Sequence, residues 1–279
     1  MTTRVFNTSI DPFQYRNYRT FDFETNFNYE EKIAWFEENW THAFLYSALY
    51  LGFVFGGPAY MQTRPKYDLR SALTIWSITL AVFSSMGAVR LWQEYTYIVT
   101  KYGWKASMCD PIFYTGISGF WAWAFIVSKL PELGDTVFII LRKQRLIFLH
   151  WYHHVTVLIY AWYSYAHFIA QGRYFLTMNY TVHAVMYLYY GCRASGMFKI
   201  PLYVNISITA LQVIQMVIAC VVNLYAHFYR NHGEYCSTTD AHTYISLALY
   251  MSYFVLFANF FYHTYYAGKV KGHGKRKAT

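Results

Sequence analysis

Three imidazoles stand close together in a stretch that is otherwise apolar and aromatic: His150, His153 and His154, within the run His-Trp-Tyr-His-His. On an α-helix these positions fall at about 0°, 300° and 40°, so the rings share one face roughly 100° wide. A neutral imidazole serves as nucleophile, general base or metal ligand near pH 7. Carrying one into a hydrophobic segment costs free energy, so three on one face mark a site for chemistry more readily than a packing choice. Lys129, Glu132 and Asp135 come before them at three-residue spacing and lay a polar stripe along the preceding span. A carboxylate that accepts from one ring nitrogen of a histidine raises the basicity of the other, which makes Glu132 and Asp135 the expected partners. Pro131 predicts a kink in the same span. Asn179 and His183, four residues apart, share a further helical face that Tyr187 continues. Gln212 and Gln215 follow Thr209 at a spacing suited to hydrogen bonds between helices, and they join Tyr187 as candidate substrate contacts.

The composition says what kind of scaffold must position these groups. The chain has 279 residues, 56% hydrophobic and 13% charged, against about 25% charged in ordinary soluble domains. Seven runs, near 41–61, 70–93, 111–140, 146–168, 174–195, 201–226 and 242–266, are each long enough to cross about 30 Å of hydrocarbon. The expected class is therefore an all-α polytopic membrane protein with seven transmembrane helices. Its 30 Tyr, 23 Phe and 9 Trp suit interfacial belts or the walls of a narrow acyl tunnel. The net charge of +9 sits at the ends of the runs, which fits membrane topology and excludes a nucleic-acid-binding face.

Arg64, Lys66, Arg70, Arg142, Lys143, Arg145, Arg193, Lys199 and a basic tail fall on one side; Lys101, Lys105, Arg173 and Arg230 fall on the other. The richer side faces the cytosol by the positive-inside rule. Residues 1–40 then form a lumenal segment, 41–266 the membrane domain and 267–279 a cytosolic tail. No basic stretch with an apolar core opens the chain, so the first span is expected to act as the signal anchor. Asn7 heads a glycosylation sequon on the lumenal side. Lys275 and Lys277, fifth and third from the end, match a dilysine retrieval signal that works in the cytosol. Cys109 and Cys236 fall in two lumenal loops and are candidates for a disulfide, two free thiols being the alternative. The four cysteines have no metal-ligand spacing.

Four blocks carry a family resemblance: Lys129-Leu-Pro-Glu-Leu-Gly-Asp135-Thr136, His150-Trp-Tyr-His153-His154, Met178-Asn179-Tyr-Thr-Val-His183-Ala-Val-Met-Tyr187, and Thr209-Ala-Leu-Gln212-Val-Ile-Gln215. In this order, and over nearly the whole chain, they resemble the ELO family of very-long-chain fatty acid elongases. Phe138-Ile-Ile-Leu-Arg-Lys-Gln144 and Leu146-Ile-Phe-Leu-His-Trp-Tyr-His-His-Val-Thr-Val-Leu158 resemble the branch that extends saturated and monounsaturated C12–C16 acyl-CoAs. The resemblance implies a 3-ketoacyl-CoA synthase of the endoplasmic reticulum membrane. Six of its seven helices would form a barrel around an acyl tunnel open to the cytosol. It implies acyl-CoA and malonyl-CoA as substrates and no bound cofactor or metal. The reductases and dehydratase of the elongation cycle would be its partners, and a homodimer is left open. His153 is then the expected nucleophile, His183 and Asn179 its assistants, and His150 with His154 a proton shuttle oriented by Asp135 or Glu132. Lys129, Arg142 and Lys143 are expected at the CoA.

Two other readings compete. Iron-dependent membrane desaturases and hydroxylases also use His-x-x-His-His, but two irons take about eight histidines from several boxes, and this chain offers one box plus His183. A single zinc on His150, His154 and His183 is conceivable geometrically. A seven-helix receptor or channel has no use for three histidines beside a carboxylate stripe.

Overall fold

The computed structural model describes residues 10–15, 18–197 and 199–267. Asn7, Lys275 and Lys277 lie outside the described residues. Within those residues the structure is helical, with no strand. Two short helices, α1 (Asp22–Thr25) and α2 (Tyr29–Asn39), precede α3 (His42–Met61) and α4 (Arg70–Cys109). Then come α5 (Gly116–Ser128), α6 (Gly134–Leu141), α7 (Phe148–Ala166), α8 (Gly172–Ser195), α9 (Leu202–Asn231) and α10 (Asp240–Tyr262), the last extended by a π turn. Among the described residues four helices are long and apolar enough to cross a membrane: α3, α4, α9, and α10 with its extension. The other three expected spans coincide with α5–α6, α7 and α8. Of these, α5 and α6 are singly too short, while α7 and α8 carry the histidines, Asn179 and many tyrosines.

The third expected span is more than kinked. It is cut into α5 and α6, with a 3-10 turn over Pro131–Leu133 between them. Pro131 has no N–H to give, so the α ladder stops and Leu130 and Leu133 close tighter bonds to Val127 and Leu130. In contrast, α4 runs well past its expected end near 93, turning only at Gly103, where φ is 84°. Glu94, just past the expected end, is buried and accepts from Arg173 of α8 at 2.9 Å. With that partner, the helix has no reason to leave the packed interior.

The seam between α4 and α8 depends on small residues. A Cβ on Gly87 would stand 2.5 Å from the ring of Tyr180, and one on Gly191 would stand 2.7 Å from Ile78. α9 packs on α8 and pairs with α10; α10 packs on α7; α7 packs on α3 and α5; and α5 returns to α4. The N-terminal segment folds onto this bundle. Glu24 is fully buried and accepts from Arg90 Nε and Nη2 at 2.8 Å and from Trp121 Nε1 at 2.7 Å. Burial alone would push its carboxyl up; the bonds from Arg90, Trp121 and the Phe21 amide outweigh that and hold it below the usual carboxylate range. Phe36 of α2 meets Trp162 and Tyr165 edge-on at 5.0 Å. A disulfide between Cys109 and Cys236 joins the end of α4 to the segment before α10, where Ser237 N donates to Cys109 O.

Candidate active site

The first two turns of α7 present the histidine box as its spacing requires. The ring centroids of His150 and His154 are 4.5 Å apart, and those of His153 and His154 are 5.7 Å apart. The rings do not have the same neighbours. His150 Nε2 lies 3.0 Å from Thr136 Oγ1 of α6, and that hydroxyl lies 2.7 Å from Tyr50 OH of α3. His153 packs edge-on against Tyr253 of α10 at 5.2 Å.

The break between α5 and α6 puts a buried ion pair beside them. Lys129 Nζ donates to both oxygens of Glu132, at 2.8 and 2.9 Å, and Ser128 donates to the same carboxylate at 2.8 Å. The Lys129 ammonium also reaches Asn179 Oδ1 at 3.4 Å and sits 3.8 Å over the Phe125 ring. Glu132 Oε2 is 3.8 Å from His183 Nδ1. At that distance it acts on His183 by charge more than by a hydrogen bond. Lys129 and Glu132 are nearly inaccessible and neutralise one another beside the histidines.

One cavity of about 170 Å³ collects the rest. His150, His153, His154 and His183 line it, together with Asp135 and Asn179. Tyr187, Gln212 and Gln215 complete the set of sequence candidates on its wall, with Phe257 and Phe260 as apolar cover. A wider cleft of about 690 Å³ shares Asp135, His150, Tyr187 and Tyr190 with that cavity and is edged by Arg70, Arg142 and Arg193. Among the described residues no three His, Cys, Asp or Glu side chains converge as a metal-binding group.

Several expected contacts differ. Asp135 orients no histidine: its two oxygens accept from Trp76 Nε1 and Tyr187 OH, both at 2.7 Å. Three-residue spacing fixes a face of the helix, and the break at Pro131 rotates α6 so that Asp135 meets α4 and α8. Lys129 is too deeply buried to hold a phosphate. Lys143 turns away from the cleft and donates to Gln62 O. Gln212 of α9 donates to Met186 Sδ of α8 at 3.4 Å, an interhelical bond of the kind its spacing suggested, whereas the Thr209 hydroxyl bonds Asn205 O and Tyr265, away from the cavity. Tyr50, Thr136, Trp76, Arg70 and Arg193 were not singled out beforehand as site residues. Thr136 closes one of the motif blocks, so its hydroxyl was the one signal within reach; Tyr50 and Trp76 are single aromatics in apolar runs and carry none.

A family model described as ELO: GNS1/SUR4 family matches residues 35–273. Among curated proteins, a very long chain fatty acid elongase 6 from Gallus gallus is 51% identical over 246 residues, covering 88% of this chain and 92% of its own. The elongase 6 of Mus musculus is 51% identical over 253 residues, with 90% and 94% covered. A Homo sapiens very long chain fatty acid elongase 3 is 40% identical over 259 residues, with 92% and 94% covered. The matched region runs from inside α2 through every wall of the histidine cavity, and the chain belongs to the ELO family.

Proposed function

We propose that this protein is the condensing enzyme of a membrane fatty acid elongation system. It joins a long-chain acyl-CoA to malonyl-CoA and releases 3-ketoacyl-CoA, CoA and carbon dioxide. The observation that carries the reading is the cavity lined by His153, His154 and His183, which shares Asp135, His150, Tyr187 and Tyr190 with an arginine-edged cleft. A thioester carbonyl in that cavity meets imidazole nitrogens, while the phosphates of its CoA lie among Arg70, Arg142 and Arg193. Guanidinium forks suit phosphate recognition. The relatives named above as very long chain fatty acid elongases support the same activity.

His153 attacks the thioester carbon, the C–S bond breaks, and CoA leaves as thiolate that takes up the imidazolium proton. The acyl group is then held as an acyl-imidazole. Malonyl-CoA loses its carboxylate as carbon dioxide, and the electron pair left on carbon attacks the acyl carbonyl as the C–N bond to His153 breaks. The departing nitrogen takes one proton from solvent to restore the neutral imidazole. His183, beside Glu132, and Asn179 position that carbonyl. The substrates are saturated or monounsaturated acyl-CoAs of C12–C16, as the likeness to elongase 6 proteins suggests. The neighbour order α4, α8, α9, α10, α7, α5 and back to α4 supports a six-segment barrel, with α3 outside as a seventh span. On this reading the protein lies in the endoplasmic reticulum membrane, with residues 1–40 lumenal and the basic tail cytosolic. It works beside the reductases and dehydratase that complete the cycle.

Incorporation of labelled malonyl-CoA into acyl-CoAs from C12 to C22 tests the activity and its length range; no malonyl-dependent product refutes it. Mass spectrometry of enzyme quenched with acyl-CoA alone tests the covalent route. A peptide acylated at His153 is expected, and its reproducible absence from an enzyme that turns over refutes that route.

A further inference from the structure

Tyr50, Thr136 and His150 come from three separate helices and form a hydrogen-bonded chain that the reaction above does not use. Tyr50 OH and Thr136 Oγ1 are 2.7 Å apart, and Thr136 Oγ1 and His150 Nε2 are 3.0 Å apart. Thr136 is fully buried and Tyr50 nearly so, which leaves their hydroxyl hydrogens to be placed within the protein. Among the described residues the Tyr50 phenol has its hydrogen bond with Thr136 and no second one. Only one direction of donation then satisfies every group. If Tyr50 donates to Thr136 and Thr136 donates to Nε2, both hydroxyl hydrogens are used and the ring nitrogen accepts. In the opposite direction Nε2–H donates to Thr136, Thr136 donates to Tyr50, and a buried phenol hydrogen has no acceptor. Folded proteins avoid that arrangement.

We infer that Thr136 is a positioning residue whose hydroxyl, accepting from Tyr50 and donating to Nε2, holds His150 in the neutral tautomer with its hydrogen on Nδ1. The Nε2 lone pair is occupied by the Thr136 hydroxyl, so His150 has no free Nε2 with which to attack a thioester. What it retains is one N–H donor, and its ring borders both the histidine cavity and the arginine cleft. On the elongase reading, on which this part of the inference rests, that places a donor beside the path between carbonyl and CoA sulfur. There it steadies the charge that gathers on oxygen or sulfur as the C–S bond breaks, without giving up its proton. The three histidines of the box thereby divide their work: His150 is a fixed donor, and His153 and His154 keep ring nitrogens for the cavity.

The test uses the full chain with nitrogen-15-labelled histidine, as Thr136→Val, Thr136→Ser and Tyr50→Phe beside the unaltered protein. The His150 resonances are expected to show a protonated Nδ1 and an unprotonated Nε2 in the unaltered protein and in Thr136→Ser. They should show exchange between tautomers in Thr136→Val, whereas Tyr50→Phe leaves Nε2 as the acceptor for the Thr136 hydroxyl and should keep the hydrogen on Nδ1. In elongation kinetics, Thr136→Val should lower kcat by ~10–100-fold, as for other partners that orient a histidine, with KM within about twofold and Thr136→Ser restoring kcat. A hydrogen found on Nε2 in the unaltered protein overturns the inference. So does a Thr136→Val protein with unchanged tautomer and kcat, or a loss of kcat that Thr136→Ser does not restore. The tautomer is read without turnover, so an inactive unaltered protein counts against the elongase reading alone. If Thr136→Val does not fold, Thr136→Ala asks the same question, because it too removes the hydroxyl that occupies Nε2.

Discussion

Replacing Lys129 by Met should unfold the protein far more easily, and replacing Glu132 as well should largely cure that while leaving the enzyme inactive. Lys129 is 2% exposed and Glu132 4% exposed, with both carboxylate oxygens on the ammonium. Removing one member of a buried pair strands the other charge and costs about 3–5 kcal/mol. For a chain of this size each kcal/mol moves the midpoint by roughly 2–4 °C, so Lys129→Met should melt about 6–20 °C lower. In Lys129→Met/Glu132→Gln no charge is stranded, Ser128 keeps its acceptor, and the midpoint should return to within about 4 °C of the unaltered protein. Activity should stay low in the double variant, because there His183 has lost the carboxylate 3.8 Å from Nδ1. Thermal melts and malonyl-CoA incorporation on the same preparations read the two outcomes separately. The reasoning is refuted if the double variant falls by the sum of the singles, since independent sites add and coupled ones do not. It is equally refuted if the double variant recovers full activity.

The remaining expectations concern other parts of the molecule. Glu24→Gln should lower the melting midpoint, because Arg90 then lies buried beside a neutral amide. Glu24 is held below the ordinary carboxylate range, so its stabilisation is complete above the unfolded carboxyl pKa of about 4.3 and disappears as pH falls through the lower folded value. Melts of the two proteins should therefore converge in acid, and a constant gap from pH 7 down to acid unfolding contradicts the assignment. Arg70→Ala and Arg193→Ala should each raise KM for acyl-CoA roughly tenfold, about 1.4 kcal/mol, and more at low salt. Lys143→Ala, facing away, should leave KM unchanged; equal effects at all three positions would move the CoA elsewhere. Gly87→Ala should cost about 1–3 kcal/mol by overpacking, because the added carbon meets the Tyr180 ring at 2.5 Å. Gly87→Ala/Tyr180→Leu should recover part of that loss, and a Gly87→Ala protein that melts normally would show that the seam yields.

What the sequence revealed and what it hid follow from the range of the forces involved. Apolar runs located the long helices because burial is a local sum over a segment. The histidine box, Asn179, His183 and Tyr187 were readable because helical spacing alone decides which side chains share a face. Partners across helices were not readable in the same way. Asp135 could be placed on a polar stripe, but its bonds to Trp76, 59 residues earlier, and Tyr187, 52 later, depend on how α6 turns after the break. Arg173 was read as a loop charge, and its partner Glu94, 79 residues earlier, lies in α4 beyond the span's expected end. Glu24 lay in a segment read as polar cover, and nothing local to it points to Arg90, 66 residues on. Single hydroxyls and indoles such as Thr136, Tyr50 and Trp76 carry no pattern of their own, so their roles emerge only once three helices are assembled.

The covalent bond between Cys109 and Cys236 also sets a timetable for making the molecule. Its two cysteines are 127 residues apart, and at ~5–20 residues per second the ribosome needs about 6–25 s to reach the second after the first. For that interval the end of α4 waits with an open thiol while α5 to α9 are still being synthesised. The bond can close only after the α9–α10 connection has emerged, so the oxidant must act after α9 has been made. A cell short of oxidising equivalents would then accumulate chains whose histidine box is already translated but whose bundle is still unfastened at the Cys109 end of α4.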